Sequence, residues 1–145
     1  MLDDTYFMRE ALKLAQQAYA EGEIPIGAVV VAENRIIGKG YNQTERLHDV
    51  TAHAEMLAIT AAANYLGAKY LEDCTLYVTI EPCVMCAGAL FWARPNRVIY
   101  GAAEPKRGFR RVSESLLHPK TSWEGGLLET ESAQLMKDFF AARRS

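Results

Sequence analysis

Apolar residues recur at helical spacing near the start of the chain. Phe7, Met8, Ala11, Leu12, Ala15, Ala18 and Tyr19 share one face of a helix predicted from about Thr5 to Glu21. Asp4 is its expected N-cap, and Gly22 stops it. The valine-rich run Ala28–Ala32 then reads as a buried strand. Glu33-Asn34-Arg35 turns the chain and Ile36–Tyr41 returns, which predicts an antiparallel hairpin. After a polar stretch from Asn42 to Asp49, a second helix is expected from about Ala52 to Tyr65. It is apolar on most faces and ends at Gly67. Thr75–Ile80 is the third expected strand. Pro82 opens a third helix, about Cys83–Ala93, because proline suits a first helical turn. Arg97–Tyr100 is a fourth strand. The segment from Pro105 to Gly126 carries weaker signals, for a short helix and a fifth strand near Leu127. Ser132–Arg143 is a terminal helix. Strands alternating with helices predict an α/β protein with one sheet covered on both faces.

No repeat, linker or low-complexity tract interrupts the chain, and 145 residues suffice for one domain, 1–145, with its own core. No apolar run approaches the roughly 18–20 residues that cross a bilayer. The start, Met1-Leu2-Asp3-Asp4, is acidic where a secretory leader would be basic, so a cytoplasmic protein without a membrane partner is expected. The three cysteines, Cys74, Cys83 and Cys86, do not form a disulfide framework. Cys74 reads as a small buried hydrophobe. The net charge is −2, but its distribution is uneven. Arg94, Arg97, Lys106, Arg107, Arg110 and Arg111 stand against Glu104 alone, giving this segment +5 and the remainder −7. Arg143 and Arg144 add a basic end to the last helix. Such asymmetry fits either a polyanion-binding face or a solvated loop.

The candidate chemistry lies in His53-Ala54-Glu55 and Pro82-Cys83-Val84-Met85-Cys86. His53, Cys83 and Cys86 are zinc-ligand types. A site with three protein ligands keeps its fourth position for water, whereas structural zinc takes four. His48, Cys74 and His118 lack the spacing of a fourth ligand. Glu55 is placed to move protons, and zinc acidifies a bound water, so the combination points to hydrolysis. His-x-Glu followed by Pro-Cys-x-x-Cys is the signature of zinc-dependent nucleobase deaminases. A thioredoxin-like role for Cys83 and Cys86 would have no use for the upstream His-Ala-Glu.

At these motifs the chain resembles the cytidine deaminase-like superfamily, and more narrowly the bacterial tRNA-specific adenosine deaminases. Gly22–Val30, Gly40-Tyr41-Asn42, Thr51–Glu55, Glu81–Ala89 and Lys137-Asp138-Phe139-Phe140 carry the resemblance. It implies a three-layer α/β/α sandwich around a mixed sheet of about five strands, one Zn²⁺ per subunit and a homodimer. It also implies conversion of adenosine to inosine at the wobble position (34) of an arginine tRNA anticodon, with release of ammonia. Carried over by position, His53, Cys83 and Cys86 are zinc ligands and Glu55 is the proton shuttle. Asn42 and Ala54 contact the target base, and Glu104 and Lys106 meet the tRNA anticodon loop. Arg107, Phe109, Arg110 and Arg111 are further candidate RNA contacts; Phe109 reads equally as a base-stacking residue or as a core or dimer-interface residue.

Two other readings remain open. One is a deaminase of a free base, nucleoside or nucleotide, such as cytosine, guanine or cytidine. The other is a catalytically silent, zinc-stabilised RNA-binding module, for which Glu55 would be unnecessary.

Overall fold

A computed structural model describes residues 1–144, and side chains as far as Arg143; the side chain of Arg144, expected to extend the basic end, lies outside the described residues. Strands β1 (Gly27–Ala32) and β2 (Arg35–Tyr41) form the expected hairpin. Glu33 and Asn34 turn it at φ 50° and 61°, as a two-residue turn that matches strand twist requires. The other strands are β3 (Cys74–Ile80), β4 (Arg97–Ala102) and β5 (Ser122–Gly125). Their order in the sheet is β2-β1-β3-β4-β5. The β1 pairings are antiparallel, and β3, β4 and β5 run parallel.

Side chains alternate across this sheet. Ala28, Val30, Leu76, Val78 and Val98 point into a core with helices α2 (Ala54–Leu66) and α3 (Val84–Ala93). Val29, Val31, Tyr77 and Ile99 face helix α1 (Asp4–Ala20) through Phe7, Met8 and Ala11. Helix α4 (Glu129–Arg144) packs against α1, β3 and β4. The result is the three-layer α/β/α arrangement around a five-stranded mixed sheet. Glycine permits close approach at two strand positions. A Cβ at Gly38 or Gly40 would run into the α2 backbone at Ala58 and Ala62, or at Ala54 and Ala58. Helix α2, with alanine at these positions, therefore lies directly on β2.

Several boundaries differ from the sequence expectation. Asp3, not Asp4, caps α1 by accepting from the Tyr6 amide at 2.9 Å. Asp4 instead pairs with Arg97 at 2.8 Å and accepts from the Tyr77 hydroxyl, pinning α1 to β3 and β4. The fifth strand precedes Leu127, and the short helix is a single 3₁₀ turn, Phe109–Arg111. Helix α4 begins three residues before the expected Ser132. These segments are polar and short. Contacts with β4 and the sheet edge decide their geometry, and local periodicity has little to read.

Candidate functional site

Parallel strands β3 and β4 end on the same sheet edge. Antiparallel pairing of β1 with β3 and β2 brings the start of β1 and the end of β2 there too: Ala28 lies opposite Val78 and Gly40. Ile26, Asn42, Ile80, Glu81 and Glu104, from four segments distant in sequence, therefore line one cavity of about 300 Å³. The carboxyl ends of parallel strands are where open α/β sheets place ligand sites.

His53 is the N-cap of α2 and Cys83 the N-cap of α3, with Cys86 in the first turn of α3. The expected placement at two helix starts is met, with His53 and Cys83 standing one residue outside their helices. The His53 Nδ1 atom lies 3.6 Å from Cys83 Sγ and 3.5 Å from Cys86 Sγ. All three donor atoms lie within 4.8 Å of one another. The Cys86 amide points at the Cys83 sulfur at 3.5 Å, so the start of α3 stabilises negative charge there.

The electrostatics suit a metal. Hydrogen bonding from Cys86, then from His53, brings the Cys83 thiol down to about 4. The same shared hydrogen bond, and burial, push Cys86 up. His53 is raised, chiefly by its Cys83 partner. One imidazole and two sulfurs, one already a thiolate, form a donor set that fits zinc; three ligands leave a position for substrate water. Glu55, in the first turn of α2, is only 4% exposed. Burial pushes its carboxyl up to about 7, with the Cys83 thiolate adding to the rise. A carboxyl poised there can take and return a proton near neutral pH.

Asn42, Ala54, Glu104 and Arg107 line this cavity with His53, Glu55 and Cys83. Asn42 is buried, and its side-chain oxygen accepts from the Thr44 amide at 3.2 Å. Lys106 is not among the lining residues; its amide donates to the Glu104 carboxylate at 2.9 Å, on the adjoining turn. Ile24, Ile26, Thr44, Ile80, Glu81, Met136 and Phe140 complete the wall, and the sequence assigned none of them a site role. Met136 and Phe140 read as ordinary helix packing, since no local signal marks which α4 face meets a distant cavity.

The basic segment proves less free than its charge suggests. Phe109 is 0% exposed and sits edge-on to Trp123 in the α2/α3-side core, so it is unavailable for stacking on a base. Arg110 donates to Glu81 and lies over the Tyr100 and Trp123 rings. Arg111 bonds the Lys106 carbonyl at 3.0 Å. Arg97 pairs with Asp4, and Arg94 stacks on Tyr70. Among the described residues, the Lys106 and Arg107 side chains alone in this group have no ion pair, hydrogen bond or ring contact.

Residues 1–102 match the family described as the cytidine and deoxycytidylate deaminase zinc-binding region. A tRNA-specific adenosine deaminase of Aquifex aeolicus (strain VF5) is 45% identical over 145 residues, 97% of this chain and 95% of that protein. A solved structure from a study of A-to-I editing by tRNA:A34 deaminases at the wobble position of transfer RNA superposes with a TM-score of 0.84. It is 44% identical, covering 90% of this chain and 99% of that one. The guanine deaminase of Bacillus subtilis is more distant, at 33% identity and TM-score 0.70 over 99% of this chain and 96% of that one. A His-Cys-Cys cluster beside a buried carboxyl, on this sheet and with these relatives, has one explanation: the chain belongs to the cytidine and deoxycytidylate deaminase zinc-binding family.

Proposed function

We propose that this protein is a zinc-dependent hydrolase that deaminates adenosine to inosine at the wobble position of a tRNA anticodon. The observation that carries the chemistry is the opening of buried Glu55, and of His53 and Cys83 from the His53–Cys83–Cys86 cluster, onto one cavity. Zinc held by His53, Cys83 and Cys86 would acidify the water that attacks the base. Glu55 accepts a proton from that water and passes it to ring N1 as oxygen bonds C6. A second proton transfer through Glu55 goes to the amino group, the C6–N6 bond breaks, and ammonia leaves with inosine behind. The Asn42 side-chain amide and the Ala54 backbone orient the base against C6 attack. Burial among Ile26, Ile80 and Ala54 excludes competing water.

Three observations support a polynucleotide substrate. The lining of the cavity shares Ile80, Glu104, Met136 and Phe140 with one neighbouring cleft, and Ile24, Thr44 and Phe140 with another. A free base would leave both clefts empty, whereas an anticodon loop presents its unpaired target with flanking nucleotides attached. Lys106 and Arg107 stand beside the opening as cations free for phosphate. The relatives named for tRNA at 44–45% identity exceed the guanine deaminase in likeness.

A homodimer is part of the proposal. Val84, Met85 and Trp92 form an apolar stripe on α3, with Trp92 69% exposed. A cytoplasmic location follows from a tRNA substrate; among the described residues no helix is long and apolar enough to cross a membrane. The decisive test offers the zinc-loaded protein an arginine anticodon stem-loop with adenosine at the wobble position, beside free adenosine, cytidine, cytosine and guanine. Inosine in the stem-loop alone is expected. Ammonia from a free substrate, with the stem-loop untouched, would keep the mechanism and overturn the substrate.

A further inference from the structure

Glu81 lies immediately before the turn that presents Cys83, and its carboxylate is 2% exposed. A buried carboxylate is costly unless its oxygens are fully used. Here Oε1 accepts from the Glu104 amide at 3.0 Å. Oε2 accepts from the Arg110 amide at 3.0 Å and faces Arg110 Nε at 3.4 Å. Both amides belong to the loop that follows β4. The Phe109 amide donates to the Pro82 carbonyl at 2.9 Å, and Gly108 bridges Cys83. A side chain at Gly108 would collide with the Glu81 carboxylate, so glycine admits this close approach.

Between those two anchored amides the chain makes one tight excursion, closed by the Gly108 amide donating to the Glu104 carbonyl at 2.8 Å. Its tip holds Lys106 and Arg107, whose side chains have no partner among the described residues, and both Arg107 and Glu104, at the loop's base, line the cavity. Glu81 and Pro82 accept the bonds that hold the excursion against the metal-ligand turn, and Arg111 donates to the Lys106 carbonyl within it. Two charge-assisted bonds from backbone amides are directional and about twice as strong as neutral ones, so they define a position.

We propose that Glu81 is a positioning residue for substrate, which clamps the Glu104–Arg110 loop against the metal-ligand turn and so sets the register between RNA contacts and base pocket. The proposal rests on the tRNA reading for the identity of the substrate. The clamp is independent of that reading. Glu81 touches no reacting atom; its effect passes through the loop. Glu81→Gln retains the size of the side chain and one accepting oxygen, but its amide nitrogen cannot accept, so one loop amide loses its partner.

The test compares Glu81→Gln with the wild type for zinc content, hydrogen exchange and stem-loop kinetics. Zinc stoichiometry is expected to hold. The Glu104 or Arg110 amide should exchange faster while Ile99 and Tyr100 in β4 stay protected. KM for the stem-loop should rise about tenfold, with kcat changed less than about threefold, because loosened positioning costs binding more than chemistry. Gly108→Ala attacks the same contact from the loop side and should reproduce the pattern; it serves alone if Glu81→Gln does not fold. An unchanged KM, or loss of zinc and kcat together, would overturn the proposal. Failure of the wild type on the stem-loop would instead overturn the tRNA reading, and the KM comparison would then be made on the free base that is turned over.

Discussion

Gly40→Ala should injure the active site from behind. Gly40 lies on β2 beneath the first turns of α2, and a Cβ there would point at Ala54, Leu57 and Ala58. It would press on the Ala54 carbonyl oxygen most closely and sit 2.7 Å from the Ala58 amide nitrogen, so the shortfall from the 3.4 Å at which ordinary contact begins is at least about 0.7 Å. The obstacle is helix backbone, so α2 must lift as a body. Overpacking of this kind costs about 1–3 kcal/mol of stability. Helix α2 also carries Glu55, with His53 as its cap. A misplacement of about 1 Å costs on the order of 100-fold in rate, so a shift of at least about 0.7 Å predicts a loss of about 25-fold or more in kcat/KM. Gly27→Ala is the matched control. Its Cβ would meet the α1 backbone at Ala15 N, 2.6 Å away, and α1 carries no proposed site residue. Urea denaturation should show both variants destabilised, while inosine formation falls steeply in Gly40→Ala alone. Equal losses of activity, or a Gly40→Ala enzyme within about twofold of wild type, would refute the argument that α2 seating sets the catalytic geometry.

Replacing Glu55 by Ala should leave zinc content and fold largely intact and lower turnover by about 10²–10⁴-fold, the usual worth of a positioned proton donor and acceptor, as followed by inosine release. Arg97 holds the Asp4 carboxyl below its ordinary value of 3.8, with Tyr77 assisting. A depressed folded value stabilises above the unfolded one, and that stability is lost as pH falls below about 4 through the folded value. Both side chains are over a third exposed, so the contribution is about 1 kcal/mol or less, and Asp4→Asn should narrow the difference in unfolding free energy between neutral pH and pH 3, read from urea denaturation, by that amount. Neutralising Lys106 and Arg107 together should weaken stem-loop binding at low salt and flatten its salt dependence by up to about one unit of slope per lost phosphate contact, whereas Arg111→Ala should leave the slope unchanged in a filter-binding titration. Zinc removal by a chelator should abolish turnover and lower the melting temperature, both restored by adding zinc back; activity surviving in metal-free protein would contradict the role of the cluster.

Local chemistry made much of this protein legible from the chain alone. The hairpin, the three central helices and the α/β alternation follow from periodicity and from stops such as Gly22 and Gly67, which act within a few residues. The metal set was equally legible. Histidine and cysteine are scarce in this chain, and His53, Cys83 and Cys86, with Glu55 two residues beyond His53, stand in a diagnostic spacing at helix starts that sequence predicts. Tertiary structure alone decided what surrounds them. Strand order and register bring Ile26, Asn42, Ile80 and Glu104 to one sheet edge, and no window of sequence contains that juxtaposition. It also decided between equal readings. Phe109 went to the core and Arg110 to Glu81, while Met136 and Phe140, expected only to pack, line the cavity wall. A charge or an aromatic ring in a sequence shows what it can do. Whether it is free to do it depends on partners brought close by the fold, and those partners lie tens of residues away.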